Sequence, residues 1–600
     1  MITQQYKEKL KALGLEHIDV LDFEYKQIDG NPPKPVCVVI KDLFTGITIK
    51  EWLVNKKFNY PHPIQKTLFV CHWAVAEVSC LIELGIEKPR AVFDTFIEEK
   101  KMFNGISKGF GLLEVCERHG IKGVMSEDKK EWYRNTIIKN YPNYTKEDEA
   151  GIMNYCEEDV ITTEKLFLSQ LNLLTTREKN FHKIISQACF HGKAMGYCAQ
   201  VEANGIHLDH VLFKDFRANF EKIKQLEIEE INKLCDVFDG DTFNQKKFEE
   251  FLKRENIYEK WPKTPTGKPK TDDRTFYRFQ HIPKIFALKN SLFIINSQKL
   301  KGYQLGEDNR SRSRLNMFGQ LTGRTNVSTA TNPFGAPRMM RTMIHPDEDS
   351  VYGYFDFKAQ EPNVMAALSQ DKNMLAAVNS PDPYLYVAKI VNAVPQDAIR
   401  KNYEKLREMY KVSYLAIAYD QTPYGLSAKL GVSLADATFI HSNIKNVFKD
   451  YGIWIRGVKA NAGRRGFFET KYGWKYHFND ESKVNPKRLS NYPIQANGGE
   501  VLRMAMIDVM EGGFDKNLSM IIHDALLLHI PRKNLAASVR KIKSLMEKAS
   551  EKVIGRKITV DTKIIRKHFY QEAEHRDRWN MLYGKYLKAK ECTNNGQLKL

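Results

Sequence analysis

The strongest constraint on how this chain folds lies in Val351 to Asp371, VYGYFDFKAQEPNVMAALSQD. The aromatic and β-branched residues Val351 to Phe355 predict a buried strand that delivers Asp356 to its end, where a carboxylate reaches solvent. Glu361 follows at the exit. Pro362 suits the first turn of a helix, where a missing N–H costs nothing, and Val364, Met365 and Leu368 repeat at helical spacing behind it. The arrangement is common on its own, so its meaning depends on partners. One lies in Leu518 to Pro531, LSMIIHDALLLHIP, where two apolar runs flank His523-Asp524-Ala525 and predict a hairpin with His523 and Asp524 at its tip. Two acids on neighbouring strand ends can hold two divalent cations about 3.5–4 Å apart, the geometry for in-line phosphoryl transfer. Carboxylate oxygens suit Mg²⁺, two per site, with Mn²⁺ able to substitute. Two unrelated surface turns are the alternative reading.

Between these acids runs RKNYEKLREMYKVSYLAIAYD, with Arg407, Lys411, Leu415 and Tyr419 spaced four apart and therefore stacked on one helical face. Cations for phosphates beside apolar and flat groups for a base suit a nucleoside triphosphate. A solvated basic helix face would carry the same residues.

The order strand-Asp-Glu, Arg-x3-Lys-x3-apolar-x3-Tyr helix, His-Asp hairpin resembles motifs A, B and C of family A (Pol I-like) DNA polymerases. Thr322-Gly323-Arg324 resembles the family's TGR element, Arg341 the arginine before motif A, and Asn491 with Gln495 in NYPIQ its template and primer contacts. The resemblance implies a template-directed polymerase that extends a DNA primer with dNTPs. On it, Asp356 and Asp524 hold the metals, Arg407 and Lys411 meet the triphosphate, Glu361 excludes a ribose 2′-hydroxyl, and His523 positions the primer end. Four departures mark this chain: Leu415 in place of an aromatic residue, Asp420 in place of glycine, Asn363 in place of arginine, and Ala525 in place of an acid. STATNPFGAP also replaces the usual PNLQNIP, leaving Asn332 as the candidate asparagine.

A second carboxylate set precedes all of this. Residues 18–24, IDVLDFE, predict a strand whose alternation puts Asp22 and Glu24 on one side. Lys66 to Gly85 reads as a strand and a helix carrying Glu77, and Tyr155 to Asp159 opens an apolar helix with Tyr155 and Asp159 on one face. Asp22, Glu24, Glu77 and Asp159 would form a cage for two metals, with Tyr155 orienting a water. The set resembles DnaQ-like, ribonuclease H-like 3′-5′ proofreading exonucleases, except that His72-Trp73 and Glu77 stand where the family has His-Asn and Asp. A domain that binds DNA without cutting it is the alternative.

The expected fold is therefore an α/β multidomain protein: a ribonuclease H-like exonuclease domain over 1–175, thumb and start of the palm over 176–345, and palm and fingers of a right-hand polymerase over 346–600, with fingers at about 375–485. The thumb is read from periodic helices over Phe213 to Cys235, a helix near Asp241 to Leu252, and a flexible basic loop over Trp261 to Asp273. Arg310, Arg312 and Arg314 alternate as in a strand laid along a phosphate backbone. Six hundred residues exceed one core. A net charge of +19 suits a polyanionic partner, primer-template DNA, with binding that weakens as salt rises. No apolar run spans a membrane and the polar N-terminus is no signal peptide, so a soluble intracellular monomer is expected, in the host cytoplasm if of phage type, with a replisome or processivity partner as an option. Nine scattered cysteines without zinc spacing are expected reduced and mostly buried. The rivals are a single-subunit RNA polymerase, against which Glu361 and the exonuclease-like front argue, and a non-catalytic DNA-binding protein, which would not need six carboxylates.

Overall fold

A computed structural model describes residues 2–296, 303–327, 331–335, 338–478, 484–569 and 573–597. The chain forms two compact units, one of residues 1–205, 315–326 and 352–564, the other of residues 206–314, 327–351 and 565–600.

The first unit opens with a five-stranded mixed sheet built from β1 (His17–Lys26), β2 (Lys34–Asp42), β3 (Thr48–Trp52), β4 (Thr67–Cys71) and β5 (Ala91–Asp94), in the order β3-β2-β1-β4-β5. β1 is antiparallel to β2 and parallel to β4. Its side chains Ile18, Val20, Val36, Val39, Leu68, Val70 and Phe93 pack against Ile152, Cys156, Val160 and Phe167 of the long helix Lys146–Arg177. That helix starts nine residues before Tyr155, capped by Thr145, whose hydroxyl accepts from Asp148 N at 3.1 Å. Tyr155 and Asp159 thus lie inside a helix, not at its opening, because the capping box overrides the weaker apolar signal.

Helix Phe181–Asn204 packs on β5 and on helix Ala74–Glu83 and also on the strand Leu518–Ile522 of a second sheet, so it is a wall common to both sheets. Gly192 permits the close approach: a Cβ there would stand 2.1 Å from the Val92 carbonyl oxygen. The second sheet has the strand order Leu518–Ile522, Ala525–Pro531, Ser350–Phe357, Val560–Ile565. Its apolar positions Val351, Tyr352, Phe355, Leu526, Leu527 and Leu528 are fully buried. Phe467–Glu469 and Lys475–His477 pair as the expected aromatic hairpin.

In the second unit, helices His210–Ala218 and Phe220–Cys235 realise the predicted periodicity, interrupted at Asn219. The stretch read as a flexible loop is instead anchored: Trp261 is buried among Phe248, Phe276 and Phe279, and its Nε1 donates to Lys270 O at 2.8 Å. One large aromatic side chain outweighs the proline and lysine signal around it. The arginine strand is also shorter than expected. Only Arg310–Ser311 is extended, and Arg310 and Arg312 pair with Asp308, Arg310 also with Asp347. The C-terminal helix Ala573–Gln597 lays Trp579 and Tyr586 on Phe216 and pairs Lys585 with Glu230 at 2.8 Å.

Candidate active sites

The sheet carrying Ser350–Phe357 brings the two predicted acids together. Asp356 is the penultimate residue of its strand, and Asp524 lies at the turn between Leu518–Ile522 and Ala525–Pro531. Phe357 N donates to Asp524 O at 3.3 Å, fixing the hairpin tip beside the strand end. His523 takes a φ of 53°, in the left-handed region that a residue with a Cβ seldom adopts, so the tip is held under local strain.

Asp356 and Asp524 line one cleft of about 480 Å³ with Glu361, Tyr384, Arg407, Lys411, Leu415 and Asp561. Burial pushes the Asp356 carboxyl up to about 7, and the charges of Asp524 and Asp561 add to this. Burial also raises Asp524, with Arg324 and His523 opposing. Carboxylates desolvated beside one another, with hard oxygen donors, fit a divalent cation.

Helix Glu404–Ala418 presents Arg407, Lys411 and Leu415 to this cleft, with Tyr419 at its C-cap. Arg407 Nε lies 2.5 Å from Asp382 Oδ2, and its Nη1 contacts Glu408, so its charge is already matched. Asp382 also caps helix Pro383–Ile390. Tyr419 is held as a neutral phenol by burial and by the neighbouring Glu361. Arg324 Nη2 donates to Glu361 Oε1 at 3.0 Å. The loop bearing Arg324 is fixed by Arg503, whose Nη1 donates to Gly323 O at 2.5 Å, and by Trp474, whose Nε1 donates to Leu321 O at 3.0 Å. His523 and Arg324 line a second, smaller recess with Gly499 and Arg503. Asn491 and Gln495 lie on helix Pro486–Val509, and the Asn491 side-chain oxygen is buried with no hydrogen-bond partner among the described residues. Arg341 belongs to the second unit, where it donates to Phe334 O at 2.7 Å. Asn332 accepts from Phe334 N, and part of the surrounding STATNPFGAP stretch lies outside the described residues.

Each departure has a local setting. Asp420 pairs with the Lys459 ammonium and accepts from the Ser490 hydroxyl. Asn363 Oδ1 accepts from Arg556 Nε at 3.0 Å, so a guanidinium reaches the position from another helix end. Leu415 lines the cleft, and Ala525 is fully buried.

The other carboxylate set gathers on the first sheet. Ligand oxygens of Asp22, Glu24 and Asp159 lie within 4.8 Å of one another. Glu77 sits beside them, its Oε2 accepting from Phe23 N at 2.8 Å. Burial, with the Asp159 charge, raises Asp22 to about 8, and burial with the Asp22 charge raises Glu24 and Glu77. Asp22 Oδ2 is buried without a hydrogen-bond partner among the described residues, which also fits a cation. Tyr155 is stacked on Tyr133 at 5.3 Å and kept neutral by burial and the Glu24 charge. Sequence reasoning missed Lys130, whose Nζ lies 2.6 Å from Asp159 Oδ1, because SEDKKEWYRN reads as a solvated charged helix. It also missed Asp382 and Asp561, acids that only tertiary structure brings to the cleft.

The described cysteines are eight free thiols, seven of them buried. Among the described residues no helix is long and apolar enough to cross a membrane.

The fold and the paired acids define a nucleotidyl-transferring enzyme of the polymerase kind. The model of DNA polymerase family A matches residues 213–569, and the chain belongs to that family: it is a DNA-directed DNA polymerase. It is similar to DNA polymerase I of Aquifex aeolicus, 24% identical over 513 residues, covering 80% of this chain and 83% of that protein. Similarity to the thermostable DNA polymerase I of Thermus aquaticus is 24% over 255 residues, 40% of this chain and 30% of that protein. The POL domain of Pol1 from M. smegmatis, solved in complex with DNA primer-template and dNTP, shares the fold at a TM-score of 0.70 and 16% identity, over 94% of this chain and 98% of that one.

Proposed function

We propose that the chain works on a DNA primer end at two separate carboxylate centres, extending it with dNTPs at Asp356 and Asp524 and trimming it 3′ to 5′ at Asp22, Glu24, Glu77 and Asp159. The observation that carries this reading is the presence of two acid clusters, one half-buried and one largely buried, on two different sheets of one unit, each with a carboxyl raised by desolvation and neighbouring acids.

In extension, the primer 3′-hydroxyl forms a bond to the α-phosphorus of the dNTP as the bond to pyrophosphate breaks. Asp356 and Asp524 would hold the divalent cations, which when bound would supply activation of the primer hydroxyl and charge neutralisation of the triphosphate. Lys411 and Arg407 take up charge that shifts toward pyrophosphate. Leu415 and Tyr419 offer the base an apolar wall. Glu361, fixed by Arg324, closes the space that a 2′-hydroxyl would need. His523 positions the primer terminus, while Arg324, Asn491 and Gln495 meet minor-groove acceptors that every correct pair presents. In trimming, Tyr155 orients a water toward the terminal phosphodiester.

The test uses a labelled primer on a longer template, with and without dNTPs, for wild type, Asp22→Ala and Asp356→Ala. Extension lost only in Asp356→Ala and shortening lost only in Asp22→Ala supports two centres. Shortening that survives Asp22→Ala, or is absent from wild type, sinks the exonuclease reading and leaves a polymerase alone.

A further inference from the structure

The hairpin tip that carries Asp524 has Ala525 where the family pattern has an acid, and the sheet offers an acid from the opposite side. Strand Val560–Ile565 is the edge strand beside Ser350–Phe357. Lys358 N donates to Thr559 O at 2.9 Å. This bond joins the residue just after one strand to the residue just before the other, so the two run antiparallel. Two steps along each strand from that contact set Asp561 directly opposite Asp356. Opposed residues of an antiparallel pair place their side chains on the same face, close enough to interact.

Asp561 also lines the cleft that holds Asp356, Asp524, Arg407 and Lys411, which agrees with the register. The strand of Asp524 flanks Ser350–Phe357 on its other side. Asp356 therefore stands in the middle of three carboxylates set across neighbouring strands. Like charges opposed across a strand pair destabilise it, a cost that a cation between them offsets.

We propose that Asp561 is a third carboxylate of the polymerase cation site, a ligand to the metal directly or through its water, supplying the acid that is absent at Ala525. This rests on reading Asp356 and Asp524 as cation ligands. The competing role for an exposed acid on an edge strand is to discourage pairing with other sheets, which needs no cation.

The experiment measures Mn²⁺ binding by the electron paramagnetic resonance signal of free Mn²⁺, using full-length protein with non-extendable primer-template and dNTP. An Asp22→Ala background removes the other acid cluster from the titration. Asp561→Asn is expected to weaken Mn²⁺ binding about tenfold and to raise the Mg²⁺ needed for half-maximal extension by a similar factor. Asp561→Glu should recover part of both. Melting temperatures of the metal-free proteins should stay together, since Asn keeps the shape and removes a like charge. If Asp356→Ala weakens Mn²⁺ binding while Asp561→Asn binds as wild type, the third-carboxylate role is overturned and the edge role stands. If Asp356→Ala also binds as wild type, the cation-site reading itself fails.

Discussion

Arg324 and Glu361 form an ion pair, Nη2 to Oε1 at 3.0 Å, that ties the loop ending at Arg324 to the first turn of helix Gln360–Ser369. The pair presents a fixed carboxylate to the cleft of Asp356 and Asp524. Glu361→Ala is expected to lower discrimination against ribonucleotides by roughly tenfold or more, the equivalent of about 1.4 kcal/mol. Arg324→Ala should reproduce part of that loss, and the double variant should be no worse than Glu361→Ala alone. Single-turnover incorporation of matched deoxy- and ribonucleotides checks this; strictly additive losses would show that the pair is incidental.

The contact between Arg407 and Asp382 sets a resting state in which the guanidinium is already neutralised. On the proposed reading a triphosphate competes for it. Asp382→Asn keeps an oxygen for the helix cap but removes the charge, so dNTP binding should tighten severalfold while stability changes by about 1 kcal/mol or less. Arg407→Ala should weaken dNTP binding at least tenfold. Equilibrium dNTP titration on a dideoxy-terminated primer separates the two, and unchanged binding in Asp382→Asn would argue that Arg407 keeps Asp382 when nucleotide is bound.

Asn104, in the N-terminal sheet domain, donates through Nδ2 to Leu321 O at 2.7 Å and to Lys475 O at 2.6 Å. It therefore anchors the loop that carries Arg324 from 217 residues away in sequence. Asn104→Ala removes both donations, leaving Leu321 O with Trp474 Nε1 as a donor, and should cost about 1–3 kcal/mol of stability. Asn104→Asp should be as harmful, since a carboxylate cannot donate. Primer-template affinity should fall in both, measured by fluorescence anisotropy beside thermal melting.

Glu500 gives a pH dependence whose sign is fixed by burial. Desolvation raises its carboxyl to about 7, with Arg503 and Thr470 opposing. A folded value above the unfolded one means that the contribution to stability is complete below the ordinary glutamate range and fades as pH rises toward 7. A shift of this size corresponds to roughly 3 kcal/mol across that window. Glu500→Gln should flatten the slope of urea-unfolding stability between pH 4.5 and about 7. An unchanged slope would mean that Arg503 keeps the group ionised.

The parts of each site that were legible in sequence share a trait: the residue sits at a fixed offset from a strong local signal. Asp356 ends an aromatic strand, Asp524 tips an apolar hairpin, and Arg407 to Tyr419 repeat on a helix. Asp22 and Glu24 alternate along one strand in the same way. Lys130 and Asp382 carried no such signal. A lysine amid a charged helix looks solvated until tertiary packing buries it against Asp159, and a helix cap looks finished until a guanidinium arrives. Trp261 shows the converse, because a proline- and lysine-rich composition hid an aromatic anchor. Glu77 was placed correctly on its helix, but only the fold shows that its carboxylate turns to the β1 backbone.

Helix Phe181–Asn204 bears on how the gene could be cut. Its buried face includes Ile184, Ile185, Ala188, Met195, Tyr197 and Cys198, and it serves the sheet of Asp22 and the sheet of Asp524 at once. Asn204 Nδ2 further bonds the carbonyls of Asp515 and Leu518, each at 2.7 Å. A recombinant polymerase trimmed at residue 206 would lose one wall of its palm and expose a broad greasy surface. Variants that disable the Asp22 cluster should therefore be made from this chain by point substitution at the acids, and a truncated product that precipitates would be reporting a missing helix rather than a defective polymerase.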